Sequence, residues 1–203
     1  MISIVDYGMG NLGSIRNMLK RIEVESELVT RPEQIAAATK LILPGVGSFD
    51  AGIENLGRLG LTPALNQRVL EARVPILGIC LGMQLMALSS SEGVHAGLGW
   101  LDASARRFEA GEGGLKVPHM GWNVVRRLRS APLIDNLPEE PRFYFVHSFY
   151  VSCHQPEDAL LETPYGVEFH SAFQRGNVWG VQFHPEKSHK FGMQLLKNFV
   201  RLC

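Results

Sequence analysis

Between Ile2 and Ile79 the chain keeps a strict rhythm, in which short apolar runs alternate with helix-spaced apolar residues, and few folds accept such a pattern. Ile2 to Val5, Glu27 to Val29, Lys40 to Leu43 and Pro75 to Ile79 read as buried strands. Between the first two, Leu12, Ile15, Leu19 and Ile22 recur every three or four residues and mark one buried helical face; Leu61, Ala64, Leu65, Val69 and Leu70 do the same ahead of Pro75. This alternation predicts a parallel sheet with right-handed crossovers. From about Leu98 the rhythm changes to short strand-like stretches separated by Gly, Pro and Asn. Phe143 to Val151, Val167 to Phe173 and Val178 to Phe183 are the clearest, and that half reads as antiparallel or mixed. Phe191, Leu195, Leu196, Phe199 and Val200 predict a closing helix. At 203 residues, without linker, repeat or low-complexity segment, the expectation is one α/β domain over residues 1–203, its central mixed, mostly parallel sheet flanked by helices.

Composition removes several functions. Twenty basic residues balance twenty acidic ones, so no net field favours a nucleic-acid backbone or an anionic membrane surface. No apolar run approaches the length of a bilayer span. Met1 leads directly into Ile2-Ser3-Ile4-Val5 with no basic segment or cleavage site, and the three cysteines, Cys80, Cys153 and Cys203, are odd in number and far apart. A cytoplasmic protein with reduced thiols is expected. No Cys and His spacing matches a zinc site, and no metal or cofactor is expected. Cys153-His154 reads as an incidental surface pair.

Chemistry concentrates at two places. Pro75 to Ile79 runs straight into Cys80-Leu81-Gly82-Met83-Gln84-Leu85-Met86, which has helical composition. Gly78-x-Cys80-x-Gly82 is the cysteine form of a nucleophile elbow, where glycines make room for a sharp turn from strand to helix. A helix N-terminus beside the sulfur favours the reactive thiolate. Equally, a free cysteine can be a small buried hydrophobe. A nucleophile needs a base, and His184 follows the apolar run Val178 to Phe183. Pro185 should keep the next step extended, so that His184 and Glu186 project to the same side as a base and its orienting carboxylate. A structural histidine remains an alternative, and His119, His147 and His189 compete among the seven histidines.

Gly78-Ile79-Cys80-Leu81-Gly82-Met83-Gln84 together with Gln182-Phe183-His184-Pro185-Glu186 closely resembles the two signatures of class I glutamine amidotransferases. Leu43-Pro44-Gly45-Val46-Gly47, Pro118-His119-Met120-Gly121-Trp122-Asn123 and Tyr144-Phe145-Val146-His147-Ser148 narrow the resemblance to the glutaminase subunits of imidazole glycerol phosphate synthases. The resemblance spans essentially the whole chain. It implies a flavodoxin-like core and a heterodimeric enzyme of histidine biosynthesis, in which glutamine is hydrolysed by Cys80, His184 and Glu186 and ammonia passes to a (β/α)8-barrel cyclase subunit. It further implies oxyanion donors at Val46, Gly47 and Leu81 and a glutamine pocket of Gly47, Gln84, Glu92, Ser148 and Phe149. Asn11, Trp122, Tyr144 and Lys187 would meet the cyclase. Low activity of the isolated chain and activation by the occupied partner follow from the same likeness. Phe149 departs from the tyrosine of many relatives, which removes any phenolic contact but not a backbone one.

Four rival readings remain. Gly8-Met9-Gly10-Asn11-Leu12-Gly13 fits the dinucleotide pattern Gly-x-Gly-x-x-Gly, but Val29-Thr30-Arg31 stands where an acidic ribose ligand belongs. Triad chemistry is shared with cysteine hydrolases of peptides. A non-catalytic glutamine sensor could use the same pocket. Finally, Phe49-Asp50-Ala51-Gly52, Leu98 to Ala103 and Lys187 to Gly192 resemble a paralogous branch that supplies ammonia for sugar amidination in surface-polysaccharide synthesis.

Overall fold

The computed structural model describes residues 1–109 and 115–203. Its first half comprises β1 (Ile2–Val5), α1 (Leu12–Arg21), β2 (Ser26–Val29), α2 (Pro32–Ala37), β3 (Leu41–Gly45), α3 (Phe49–Arg58), α4 (Leu61–Asn66), β4 (Ile76–Cys80) and α5 (Leu81–Leu85). The second contains β5 (Ser89–Ser90), β6 (Ala103–Arg107), β7 (His119–Val124), β8 (Arg126–Arg127), β9 (Arg142–His147), β10 (Phe149–Cys153), β11 (Ala159–Tyr165), β12 (Val167–Arg175), β13 (Val178–Val181) and α6 (His189–Leu202).

One large sheet runs β2-β1-β3-β4-β13-β12-β10-β6-β5, with β11 and β8 attached beside β12, while β7 and β9 form a separate ribbon. This is the expected mixed α/β sheet between helices. Its pairings divide evenly, five parallel and five antiparallel, with most of the parallel ones confined to β2-β1-β3-β4-β13. Alternation along the strands supplies a core on each face. Ile4, Ile42, Leu77, Ile79, Trp179 and Val181 join α1 and α6 in one cluster, and Val5, Leu41, Leu43, Ile76 and Val178 join α2 to α5 in the other.

Three expectations need correction. The Phe143 to Val151 run is two strands, because the chain bends at Ser148 and leaves the ribbon for the large sheet. Uniform β propensity hides a change of strand partner. Leu70 is exposed, because it falls one position past the buried stripe that Leu61, Leu65 and Val69 form at spacings of four. The last strand ends at Val181, which leaves Gln182 and Phe183 beyond it.

The topology gathers three chain segments at one edge. β3, β4 and β13 are parallel neighbours, with Gly45 beside Cys80 and Ile79 beside Val181, so their carboxyl ends release the Gly45 to Ser48 turn, the Cys80 elbow and the Gln182 to Glu186 segment side by side. Open α/β sheets hold their reactive groups at such an edge.

Candidate active site

Cys80 is the last residue of β4 and precedes α5, with φ 54° and ψ −111°, a backbone region that costs a non-glycine residue on the order of 1–3 kcal/mol. Glycines make the turn possible by giving way to other atoms. A Cβ at Gly78 would lie 2.8 Å from the Met83 backbone, and one at Gly82 would overlap the Leu43 carbonyl. The sulfur is mostly buried, as the structural alternative requires, but an inert core cysteine has no need of a strained backbone at a strand end.

His184 is buried, and its Nδ1 lies 2.7 Å from Glu186 Oε1. The expected pairing is present for a different backbone reason: Pro185–Lys187 is a 3-10 turn, and the chain curls the carboxylate back under the ring rather than running extended. Ser188 Oγ donates to the His184 carbonyl at 2.6 Å and accepts from the Tyr144 amide at 3.0 Å, which pins the turn to β9. Burial lowers the proton affinity of His184, but contact with Cys80 and Glu186 and their negative charge outweighs it and raises the pKa to about 10. Its Nε2 and Glu186 Oε2 are buried without hydrogen-bond partners among the described residues, so one ring nitrogen is unspent on the side of the sulfur.

The competing histidines sit elsewhere. His119 Nδ1 and His147 Nε2 are 3.0 Å apart, and burial depresses their pKa values to about 4 and about 3, so both are neutral. His189 is exposed and stacks on Trp122. Cys153-His154 proves to be no surface pair: Cys153 is buried, while His154 bonds Asp102 at 2.8 Å.

Beside Cys80 opens a cavity of about 250 Å³, lined by Val46, Gly47 and Leu81 of the expected oxyanion set and by Gln84, Glu92, Ser148 and Phe149 of the expected substrate set. Pro118, Val146 and His147 complete its wall. Glu92 Oε2 accepts from the Phe49 amide at 2.9 Å, which ties its loop to the start of α3. The Phe149 carbonyl accepts from Gln84 Nε2 at 3.0 Å and from His147 Nδ1 at 2.8 Å, so its backbone, not its ring, organises the wall.

The oxyanion segment is looser. Val46 is 52% exposed, and the Val46 and Gly47 amides donate no hydrogen bond among the described residues. Gly47 has φ 129°, open only to glycine. The glycine loop before α1 supports this turn from below, for a Cβ at Gly10 would stand 3.4 Å from the Gly45 amide and one at Gly47 would press on the Met9 methyl. That is the use the structure makes of the dinucleotide-like pattern.

Trp122 is 46% exposed on β7 and faces Tyr144 on β9, over whose ring Lys187 Nζ lies at 5.6 Å. Three of the four expected partner residues therefore share one surface, with Met120 and His189 beside them. Asn11 instead caps α1, its side-chain oxygen accepting from the Ser14 amide at 3.2 Å.

Two residues at the site had no role assigned from sequence. Tyr7, fully buried, donates to the Pro44 carbonyl at 2.7 Å beneath the turn. Gln182 Nε2 lies 3.7 Å from Cys80 Sγ. For Gln182 the signal was its place in the His184 motif; Tyr7 had none beyond lying two residues past a buried strand.

Comparison with known proteins identifies the family. A model of "Glutamine amidotransferase class-I" matches residues 3–203. The chain is 53% identical to "Imidazole glycerol phosphate synthase subunit HisH 2" of Methanococcus maripaludis over 99% of both chains, and 50% identical to the protein of that name in Pseudomonas aeruginosa over 100% of both. A solved glutamine amidotransferase superposes with a TM-score of 0.78 at 20% identity, covering 100% of this chain and 98% of that one. PurLQS from Thermotoga maritima superposes at 0.74 and 16%, covering 98% and 96%; both likenesses concern the fold alone. With a family model over nearly its full length and relatives half identical from end to end, the chain belongs to the class I glutamine amidotransferases, among the HisH subunits of imidazole glycerol phosphate synthases.

Proposed function

We propose that the chain hydrolyses glutamine to glutamate and ammonia and delivers the ammonia to a (β/α)8-barrel cyclase subunit in histidine biosynthesis. The observation that carries the reading is the convergence of the Cys80 elbow, the buried His184–Glu186 pair and a cavity of substrate size on three adjacent strand ends.

Glutamine enters the cavity with its carboxamide toward Cys80. The sulfur attacks the amide carbon while its proton resides on His184, whose positive charge Glu186 stabilises. The oxyanion is met by the Leu81 amide at the start of α5 and by an amide of the Val46–Gly47 turn. His184 Nε2 then protonates the departing ammonia, a thioester remains on Cys80, and water activated by the same imidazole releases glutamate. Gln84, Glu92, Ser148 and the Phe149 backbone hold the zwitterionic end. The Trp122, Tyr144 and Lys187 surface docks the cyclase, which covers the exit and keeps ammonia unprotonated.

Relatives named as imidazole glycerol phosphate synthase subunits favour this recipient over a sugar-modifying partner. Cys80→Ala should abolish glutamate release, by about 10,000-fold or more, with an unchanged circular dichroism spectrum. Glutamate release at the wild-type rate would end the proposal. Complementation of a histidine auxotroph lacking its own glutaminase subunit tests the recipient separately.

A further inference from the structure

The orientation of every amide and ring from Cys80 to β7 follows from a single acceptor, the Phe149 carbonyl. A carbonyl oxygen can only accept, so Gln84 must present its nitrogen there, at 3.0 Å. The same Nε2 lies 3.1 Å from the side-chain atom of Gln182 that faces it, and because Nε2 is a donor, that atom is Oε1. The other end of the Gln182 amide, the end toward Cys80 Sγ, is therefore its nitrogen, at 3.7 Å. Gln182 is fully buried and has no freedom to turn over without breaking its bond to Gln84.

The other side of the carbonyl is equally determined. His147 Nδ1 must carry a proton to donate to Phe149 at 2.8 Å, so its Nε2 accepts from His119 Nδ1 at 3.0 Å. His119 Nε2 then accepts from Asn123 Nδ2 at 3.3 Å, and Asn123 Oδ1 receives the Val124 amide at 2.8 Å, which fixes that amide as well. Every donor points the same way, and both rings must be neutral.

We propose that Gln182 is a further functional residue of the glutaminase site, whose side-chain amide donates a hydrogen bond to the Cys80 sulfur and holds it in its nucleophilic form, with Gln84, oriented by the Phe149 carbonyl, as the positioning residue that locks this orientation. This deepens the reading of Cys80 as nucleophile and rests on it. Hydrogen bonding to the charged form of a group favours that form. Gln182 is a neutral donor, so it assists the thiolate whatever the protonation of the other groups around Cys80. Those titratable groups are His184, backed by Glu186, and Tyr7, with His147 and Glu92 in the wall of the same cavity.

The test follows Cys80 alkylation by iodoacetamide against pH in the full chain, which requires no glutamine turnover and so remains informative even if the substrate assignment fails. Gln182→Met keeps the volume and removes the donor; the midpoint of the alkylation profile should rise by about half to one pH unit. Gln182→Glu keeps an acceptor for Gln84 but sets a carboxylate against the sulfur, and should raise the midpoint further. With glutamine as substrate, kcat should fall about 10-fold in the Met variant with KM changing less than about 2-fold, since the bond is to the nucleophile. A purely structural role predicts unaltered midpoints in folded variants, and that result overturns the proposal. Should either variant fail to fold, the wild-type protein decides: on titration of Cys80 the side-chain amide resonances of Gln182 must shift with the thiol, and their remaining fixed refutes the hydrogen bond.

Discussion

The two sides of the candidate site are built differently. On the nucleophile side everything is buried and anchored: Cys80 is held by an elbow with no room for a Cβ at Gly78 or Gly82, and His184 and Glu186 are pinned to β9 through Ser188. Across the cavity the Val46–Gly47 turn is exposed, and its amides have no acceptor among the described residues. The rigid side stores strain at Cys80 that close packing alone can maintain, whereas the loose side leaves its donors unspent. An amide must be free to receive an oxyanion, and a turn with unspent amides is easily reoriented. Under the proposed function, this division leaves the nucleophile and its base preassembled and the oxyanion donors as the part that a partner subunit would set.

The comparison would break most visibly on the rigid side. Glu186→Gln preserves the shape of the buried pair and removes its charge, so turnover should fall about 100- to 10,000-fold while the fold persists. A loss below 10-fold would mean that the buried carboxylate does not support the imidazolium. Stability supplies a second measure. His184 has its pKa raised to about 10 in the folded chain, from an ordinary value of 6.5, chiefly by Cys80 and Glu186 against the opposing effect of burial. A raised pKa contributes stability that is complete below the unfolded value and disappears as pH climbs through the folded one. Denaturant midpoints of the wild type should therefore decline between about pH 6.5 and 10, and Glu186→Gln should flatten that decline.

On the loose side, Val46→Pro deletes one amide hydrogen at a residue that follows the extended Gly45, the conformation a residue before proline prefers. Turnover should drop about 100- to 1000-fold, with stability changed by less than about 1 kcal/mol because the side chain is half exposed and its amide donates no hydrogen bond among the described residues. An equal loss of stability and activity would show that the turn is as integral to the fold as the elbow, and the contrast would collapse.

How much of this was readable in the sequence depends on the range of the interaction that produces each feature. Strands buried on both faces leave continuous apolar runs, so Ile2 to Val5 is found with its own ends, and the motifs flanking Cys80 and His184 mark strand termini directly. The bend at Ser148 leaves no trace in an unbroken β-like run, since it reflects a change of strand partner. Gln182, Gln84 and the His119–His147 pair meet through hydrogen bonds between residues distant in the chain, which impose no periodicity. Likewise, the Asn11 side chain serves helix capping, a local role that competes with any interfacial one.

The smallest expected effect lies on the surface that neither side of the site uses. Trp122 stacks on His189 at 5.5 Å between ring centres and faces Tyr144 edge-on, yet stays nearly half exposed. Its contacts are with surface rings rather than the core, so Trp122→Ala should cost about 1 kcal/mol of stability and leave glutamine hydrolysis by the isolated chain unaltered. Toward the proposed cyclase partner the same change should cost about 2 kcal/mol, roughly a 30-fold rise in Kd, if Trp122 is the aromatic anchor of the proposed docking surface. Titrating labelled chain with the proposed partner while following glutamate release measures both quantities at once. A weakened Kd with full activity at saturation would assign Trp122 to docking alone. Reduced activity at saturation would instead link the aromatic cluster to the Val46–Gly47 turn, and so sharpen the view that the loose side is set from outside.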